Sequence, residues 1–336
     1  MVRHNSLGLR QHREFDRNKP AQTTRIGFFG DSFTENVRMP VQYSFTEPLD
    51  FLLNRTGKAF EVLNFGTDGY GTDQVYLQYM EEGKKSNLDF VVYLYCENDL
   101  RDILANKLID IDEKGNIKYI PALPSGLFVS TVKKFYLTYL LLEALLKWNV
   151  VKDNFLNERL DPNKIRDATD HQEEGRRKYE ALARQLEQDP ENPELKHALK
   201  IFSALMQAMK KESESNSSRL YVVLFPGYKS NNKGVHNQKI TKVLEGLGID
   251  VLDLFPVFRQ TENRHRLNLY FKKDNHWNEE GNKIAAVEIF KFLAEKLGLV
   301  FAGDAFIKEG LNEYYSSFPP VAISDVWLQK KPLRTT

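Results

Sequence analysis

Residues 25–34 read Arg25-Ile26-Gly27-Phe28-Phe29-Gly30-Asp31-Ser32-Phe33-Thr34, and their pattern decides the fold. Ile26, Phe28 and Phe29 suit a strand buried on both faces, the kind found in a parallel sheet covered by helices. Gly30 lets the backbone turn sharply where a side chain would clash. Ser32 then falls just beyond the carboxyl end of the strand, the edge along which open α/β sheets bind ligands. Standing alone, Asp31-Ser32 would read first as the plain N-cap of a helix.

Working outward, similar apolar runs recur at residues 60–65, 90–96, 220–225 and 249–254, the fourth stopped by Pro226-Gly227. Amphipathic segments lie between them. Residues 43–54 carry Leu49, Leu52 and Leu53 on one side and stop at Gly57, and a second helix is expected over residues 73–83. Asn192-Pro193 reads as an N-cap followed by proline at the first helical position, with a stripe of Leu195, Leu199, Phe202, Met206 and Met209 behind it. Further helices are expected at 239–246 and in the last apolar stripe, Ala286, Phe290, Leu293 and Leu297, which Gly298 ends. Alternating strands and helices predict a three-layer α/β domain with a parallel five-stranded sheet. Right-handed crossovers favour a flavodoxin-like strand order.

The pattern breaks in three places. Residues 1–24 are polar and irregular and read as an N-terminal extension lying over a main domain of residues 25–300. Residues 121–192 read as a helical insert. Its apolar helix runs from Phe135 to Trp148, with Lys133, Lys134, Glu143 and Lys147 in and beside it, and a charged helix over 163–188 reads as a solvated face. The apolar helix suits a buried position; the sharper reading is a lid, or a surface through which the chain forms a homo-oligomer. Residues 301–336 form an aromatic but irregular C-terminal tail to which no role is assigned.

The chain has 336 residues, 41% of them hydrophobic and 12% aromatic, enough to bury a sizeable core. With 47 basic and 46 acidic residues it lacks the basic excess of a nucleic-acid binder. Its one cysteine, Cys96, makes no internal disulfide and no cysteine-rich zinc site. No apolar run reaches the roughly 18 residues that span a bilayer, so no integral membrane segment is expected. The start, Met1-Val2-Arg3-His4-Asn5, has no signal-peptide core. The compartment stays open, with an extracytoplasmic site, periplasmic or membrane-anchored behind a trimmed N-terminus, set ahead of the cytoplasm.

Four polar clusters follow strand ends: Ser32, the loop 66–72, Asn98, and the pair Asp274/His276. The loop Gly66-Thr67-Asp68-Gly69-Tyr70-Gly71-Thr72 has the order G-x-x-G-x-G, not the dinucleotide fingerprint G-x-G-x-x-G. The clusters do supply every part of an acyl-transfer site. Ser32 is a nucleophile that needs a base. His276 can take its proton, and Asp274, two residues earlier in an extended segment, can hold the imidazole. The backbone N–H of Ser32, the backbone N–H of Gly69 and the Asn98 side-chain amide are candidate donors to a developing oxyanion. Each residue has a plainer reading: His276 beside Trp277 as a packed loop histidine, Asn98-Asp99 as a helix cap. His265 is the rival base, set between Arg264 and Arg266; His4, His171 and His197 lie away from strand ends. No metal or organic cofactor is called for.

These blocks resemble those of the SGNH, or GDSL-type, hydrolases. Gly30-Asp31-Ser32 matches the first block with its nucleophile, and Asn64-Phe65-Gly66-Thr67-Asp68-Gly69 the second with its oxyanion glycine. Glu97-Asn98-Asp99 matches the third with its oxyanion asparagine, and Asp274-Asn275-His276 the fifth with the acid and base. The resemblance covers about residues 25–110 and 219–298. It departs from the commonest pattern at Cys96, where the third block has glycine, and at Lys273, where the fifth has its acid. The shorter Asp-x-His-Trp form is similar to that of SGNH proteins acting on bacterial exopolysaccharides, including alginate O-acetylation proteins. The resemblance implies the SGNH fold and a serine-dependent ester hydrolase taking a small acyl group, such as acetyl, from a carbohydrate. The alternatives it leaves are an O-acetyltransferase acting on an exopolysaccharide or cell-envelope glycan, and a non-catalytic carbohydrate-binding protein. An α/β-hydrolase elbow would need a second glycine where Thr34 stands.

Overall fold

The computed structural model describes residues 4–120, 192–225, 235–265, 268–272 and 274–318. The helices expected within 121–191 and the Pro226-Gly227 stop lie outside them. The chain divides into two compact units, Met1–Asn106 with Ala198–Thr336, and Lys107–His197.

In the larger unit, strands β1 (Thr23–Phe29), β2 (Ala59–Asn64), β3 (Phe90–Tyr95), β6 (Arg219–Leu224) and β7 (Asp250–Asp253) form one sheet. Its order is β2-β1-β3-β6-β7, and every pair is parallel. Renumbered within the sheet this is the flavodoxin-like 2-1-3-4-5 order. The registers set Phe28 against Asn64, Phe29 against Tyr93, Tyr95 against Leu224 and Leu224 against Asp253. The carboxyl ends of the strands therefore share one edge, and the loops leaving them open side by side.

Alternate residues of the strands feed two layers. Ile26, Phe28, Val92 and Leu94 pack with Leu49, Leu52 and Leu53 of α2 (Thr46–Arg55). The same cluster takes in Ala286, Ile289, Phe290 and Leu293 of α8 (Glu279–Lys296). On the other face Phe29 stacks on Phe65 and meets Tyr79 of α3 (Thr72–Glu81), while Tyr95 packs on Phe202 of α5 (Pro193–Ser215). Each such aromatic or leucine side chain contributes about 1.5–3 kcal/mol by leaving water.

The structure corrects two expectations. The buried stripe of α5 is Ala198, Ile201, Phe202, Leu205, Met206 and Met209; Leu195 and Leu199 are only half-buried. Asn192 does cap this helix, its Oδ1 accepting from the Glu194 N–H at 2.8 Å. Residues beyond 300 are not irregular: α9 (Gly303–Ser316) buries Ile307 and Tyr314, and the Tyr314 hydroxyl donates to the Gln42 carbonyl at 2.9 Å. At Gly310 α9 packs tightly on α2, since a Cβ there would lie 2.7 Å from Leu52 Cδ2. A helix α7 (Phe255–His265) follows β7, its first turn capped by Asp253, which accepts from the Phe255 N–H at 3.0 Å. The remaining described helices are α1 (Ser32–Glu35), α4 (Asp99–Asn106) and α6 (Val235–Gly246).

The smaller unit contains a two-stranded antiparallel hairpin, β4 (Ile109–Ile111) and β5 (Ile117–Tyr119). Its turn is closed by Asp112, whose Oδ1 accepts from the N–H groups of Lys114 and Asn116 at 2.9 and 2.8 Å.

Candidate active site

The nucleophile turn is built from β1 outward. After Phe29 the chain turns at Gly30, where a Cβ would run into Thr34 Oγ1 and stand 2.9 Å from the Leu94 carbonyl. Asp31 caps α1 by accepting from the Phe33 N–H at 2.9 Å. Asn36 ends the helix in the left-handed conformation, φ +58°, returning its N–H to the Ser32 carbonyl at 2.9 Å. Asp31 therefore serves as the plain cap and Ser32 still faces the sheet edge. The Asp31 carboxyl is pushed up to about 7, first by burial and then by the charges of Asp102 and Asp68.

The loop 268–278 brings the histidine. An isolated bridge joins Tyr270 to Trp277, and the Phe271 N–H donates to the His276 carbonyl at 2.9 Å. Trp277 is buried and forms the floor with Phe33 and Phe225, ring centroids 5.2 and 4.9 Å away. Phe33 also stacks on the His276 imidazole at 4.7 Å. The imidazole is thus held flat against an apolar wall with its edges aimed at polar partners.

Those partners are the expected ones. Ser32 Oγ lies 2.6 Å from His276 Nε2. His276 Nδ1 bonds Asp274 Oδ1, which also accepts the His276 backbone N–H at 3.0 Å. Burial lowers the basicity of His276 more than Asp274 raises it, so the imidazole stays neutral to below its ordinary value. Burial raises Asp274, but the imidazole and the Arg38 guanidinium outweigh it and hold the carboxyl below the usual range. A neutral imidazole between an ionised carboxylate and a hydroxyl is arranged to accept a proton from that hydroxyl.

Gly69 lies in the loop after β2, at φ +81°, where residues with a side chain are strained. A Cβ there would meet nothing, so the requirement is conformational and not one of space. The loop is locked to the nucleophile turn by the Thr67 N–H, which donates to the Gly30 carbonyl at 3.0 Å, and by the Asp68 N–H, which donates to Glu35 Oε2 at 2.7 Å. Gly66 packs so tightly that a Cβ on it would overlap the backbone of Thr34 and Glu35. Asn98 stands in the turn after β3. Its carbonyl accepts the Asp102 N–H at 2.9 Å and its amide donates to Asp102 Oδ2 at 2.6 Å, so it opens α4 and keeps its amide fixed. Ser32, His276 and Asp274 form one chain of hydrogen bonds; among the described residues the bonds of Asn98 run to Asp102, not to that chain.

Three contributors went unread in the sequence. Arg38 Nε donates to Asp274 Oδ2 at 3.0 Å. Asn282, fully buried in α8, accepts from Asn36 Nδ2 at 2.6 Å and from the Phe45 N–H at 3.1 Å, and its own amide donates to the Asn278 carbonyl at 3.0 Å. Glu35 anchors the Asp68 N–H. None sits in a motif; the one hint was an amide, Asn282, inside an apolar helix face, where a buried polar group needs partners. The side chain of His265, the rival base, lies outside the described residues. His4 and His12 pair with Glu35 and Glu47, and His197 pairs with Asp110.

Ser32, His276 and Asp274 thus lie in one hydrogen-bonded chain at the carboxyl edge of a parallel sheet in 2-1-3-4-5 order. Residues 216–309 match the family model described as the SGNH hydrolase-like domain of the acetyltransferase AlgX. Over that segment the chain is similar to an SGNH hydrolase-like domain. Among curated proteins none matches the sequence. Among solved structures, it is similar to the acetylxylan esterase Axe2 from Geobacillus stearothermophilus (11% identity, 80% of this chain and 93% of that one, TM-score 0.43). It is similar also to the acetyl xylan esterase AlAXEase (13%, 80% and 99%, TM-score 0.44). A third is a two-domain esterase, CEX, active on acetylated mannans (10%, 81% and 49%, TM-score 0.44). Among the described residues no helix is long and apolar enough to cross a membrane.

Proposed function

We propose that this protein is a serine-dependent acyl-transfer enzyme that carries its acyl group on Ser32. The observation that supports this most is the 2.6 Å contact between Ser32 Oγ and His276 Nε2, with Asp274 bonded to the other ring nitrogen. Ser32 Oγ attacks the carbonyl carbon of an ester while His276 takes the hydroxyl proton. The Asp274 carboxylate steadies the imidazolium. The tetrahedral oxyanion is received by the Ser32 N–H, the Gly69 N–H and the Asn98 amide, each worth about 3 kcal/mol. Collapse expels the alcohol, which leaves with the proton from His276. The second half-reaction repeats these steps with an acceptor hydroxyl, activated by His276, in place of Ser32.

The acyl group in this reading is small, such as acetyl, and its partner is a carbohydrate. With water as acceptor the protein is an acylesterase. With a sugar hydroxyl it is an O-acetyltransferase, a reading favoured by the match of residues 216–309 to an acetyltransferase domain. A protein that keeps the fold without catalysis has no use for a hydroxyl held against a neutral imidazole.

The test is hydrolysis of p-nitrophenyl acetate by the wild type and by Ser32→Ala, with folding followed by circular dichroism. We expect a nitrophenolate burst that Ser32→Ala abolishes, a loss of about ten-thousand-fold or more. Burst followed by turnover marks the esterase; burst that stalls until a glycan is added marks the transferase. Equal rates in the two folded proteins would overturn the proposal.

A further inference from the structure

On the triad reading just given, we propose that Arg38 is a positioning residue of the site, fixing the Asp274 carboxylate and the Asp68–Gly69 turn to the segment that carries Ser32. The two oxygens of Asp274 are divided between neighbours. Oδ1 takes both bonds from His276, and Oδ2 takes the Arg38 Nε–H at 3.0 Å. A carboxylate torsion is soft, with a broad and roughly two-fold profile. With only Oδ1 engaged, the group can swing and carry the imidazole off line; the second anchor on Oδ2 removes that freedom.

Arg38 is itself well placed to serve as a reference point. It follows Asn36, the cap of α1, and precedes Met39, whose N–H donates to the Asn36 carbonyl at 3.3 Å and whose carbonyl accepts from Arg10. Its Nη1 faces Asp68 Oδ2 at 3.6 Å, and Asp68 adjoins Gly69 and is tied through its N–H to Glu35. One guanidinium thus spans three segments that are distant in sequence: the nucleophile turn, the loop after β2 and the histidine loop. The planar fork matters, since Nε bonds Asp274 while Nη1 faces Asp68 at ion-pair distance, and a lysine supplies a single point charge.

The charge has a consequence of its own. The groups acting on His276 are Asp274 and Asp68, which favour its protonated form, and Arg38, which opposes it, on top of burial. Removing Arg38 therefore raises the titration midpoint of His276, and removing the charge of Asp68 lowers it. An ion pair whose partners are each 29% exposed contributes little to stability, about 0–1 kcal/mol. A role confined to holding the fold would leave the titration unmoved.

The experiment follows the His276 imidazole by NMR across pH in the full chain labelled at histidine, for wild type, Arg38→Met, Arg38→Lys and Asp68→Asn, with p-nitrophenyl acetate kinetics alongside. In Arg38→Met the His276 midpoint should rise by on the order of 0.5–1 pH unit, and the acidic limb of kcat/KM should move with it. Its kcat should fall about 10- to 100-fold with KM within about twofold. Arg38→Lys should keep the midpoint and recover only part of the rate, and Asp68→Asn should shift the midpoint downward. An unmoved midpoint in Arg38→Met, or full activity in both Arg38 variants, would overturn the proposal. If Arg38→Met does not fold, Arg38→Lys and Asp68→Asn decide by the same readings. A wild type with no Ser32-dependent reaction overturns the catalytic reading instead, while the titration still reads the hold of Arg38 on the pair.

Discussion

Strand β1 carries a charged cluster at each end, and the two are opposite in design. Near its amino end the Arg25 guanidinium is buried. Nε donates to Glu61 at 2.7 Å, Nη1 to the Arg17 and Ser86 carbonyls at 3.2 and 2.8 Å, and Nη2 to the Asp16 carbonyl at 2.8 Å and to Glu61 at 2.6 Å. All the donors of the fork are used. Beyond its carboxyl end, Ser32, His276, Asp274 and Arg38 form a chain that contains one imidazole, whose basicity burial lowers. Burial and pairing alone do not make a site. The difference is a neutral imidazole set between a hydroxyl and a carboxylate.

The contrast can be broken by mutation. The largest effect on stability belongs to Glu61→Ala, which leaves the Arg25 charge buried and unpaired; a loss of about 3–5 kcal/mol is expected in urea denaturation. The rate per folded molecule should not change. Exchanging both partners, Arg25→Met with Glu61→Leu, should cost far less, because no charge is then stranded. If Glu61→Ala slows acyl transfer in the molecules that remain folded, the two ends of β1 are not independent.

Asn282→Ala sharpens the comparison from the middle. It strands the Asn36 amide and the Phe45 N–H, both buried, for about 1–3 kcal/mol. It also removes the second link between the nucleophile turn and the histidine loop, so kcat should drop about tenfold while KM holds. This variant, unlike Glu61→Ala, should move stability and turnover together.

An effect of the opposite sign, a gain in stability above neutral pH, is expected from Asp31→Asn. A carboxyl raised from 3.8 to about 7 keeps its proton in the folded state while the unfolded chain has lost it. The folded state then binds more protons between those values, so stability falls as pH rises from about 4 to 7 and stays lowered above. Asparagine keeps the cap to the Phe33 N–H without the charge. Its melting temperature should exceed that of wild type at pH 8, and the two should converge near pH 4.

Much of this was legible in the sequence for a local reason. The strands are short apolar runs whose type does not depend on partners, and the candidate site residues Ser32, Gly69 and Asn98 sit three to five positions beyond them. His276 stood out because Asp274 lay at the spacing an extended segment can use. What escaped notice depends on contacts made across the chain. Arg38 is one arginine among many until Asp274 is beside it, and Asn282 is an oddity on an apolar face until Asn36 arrives. The helix α9 rests on packing made across the chain, since a glycine that permits close packing on Leu52, as Gly310 does, looks the same in sequence as one that breaks a helix.

Gly66 carries one more consequence. Because its Cα leaves no room against Thr34 and Glu35, and because the Thr67 N–H is bonded to the Gly30 carbonyl, the nucleophile turn and the loop after β2 have no means of opening separately. Their amide protons should exchange with solvent as one cooperative unit, with matched protection for Thr67, Glu35 and Asn36.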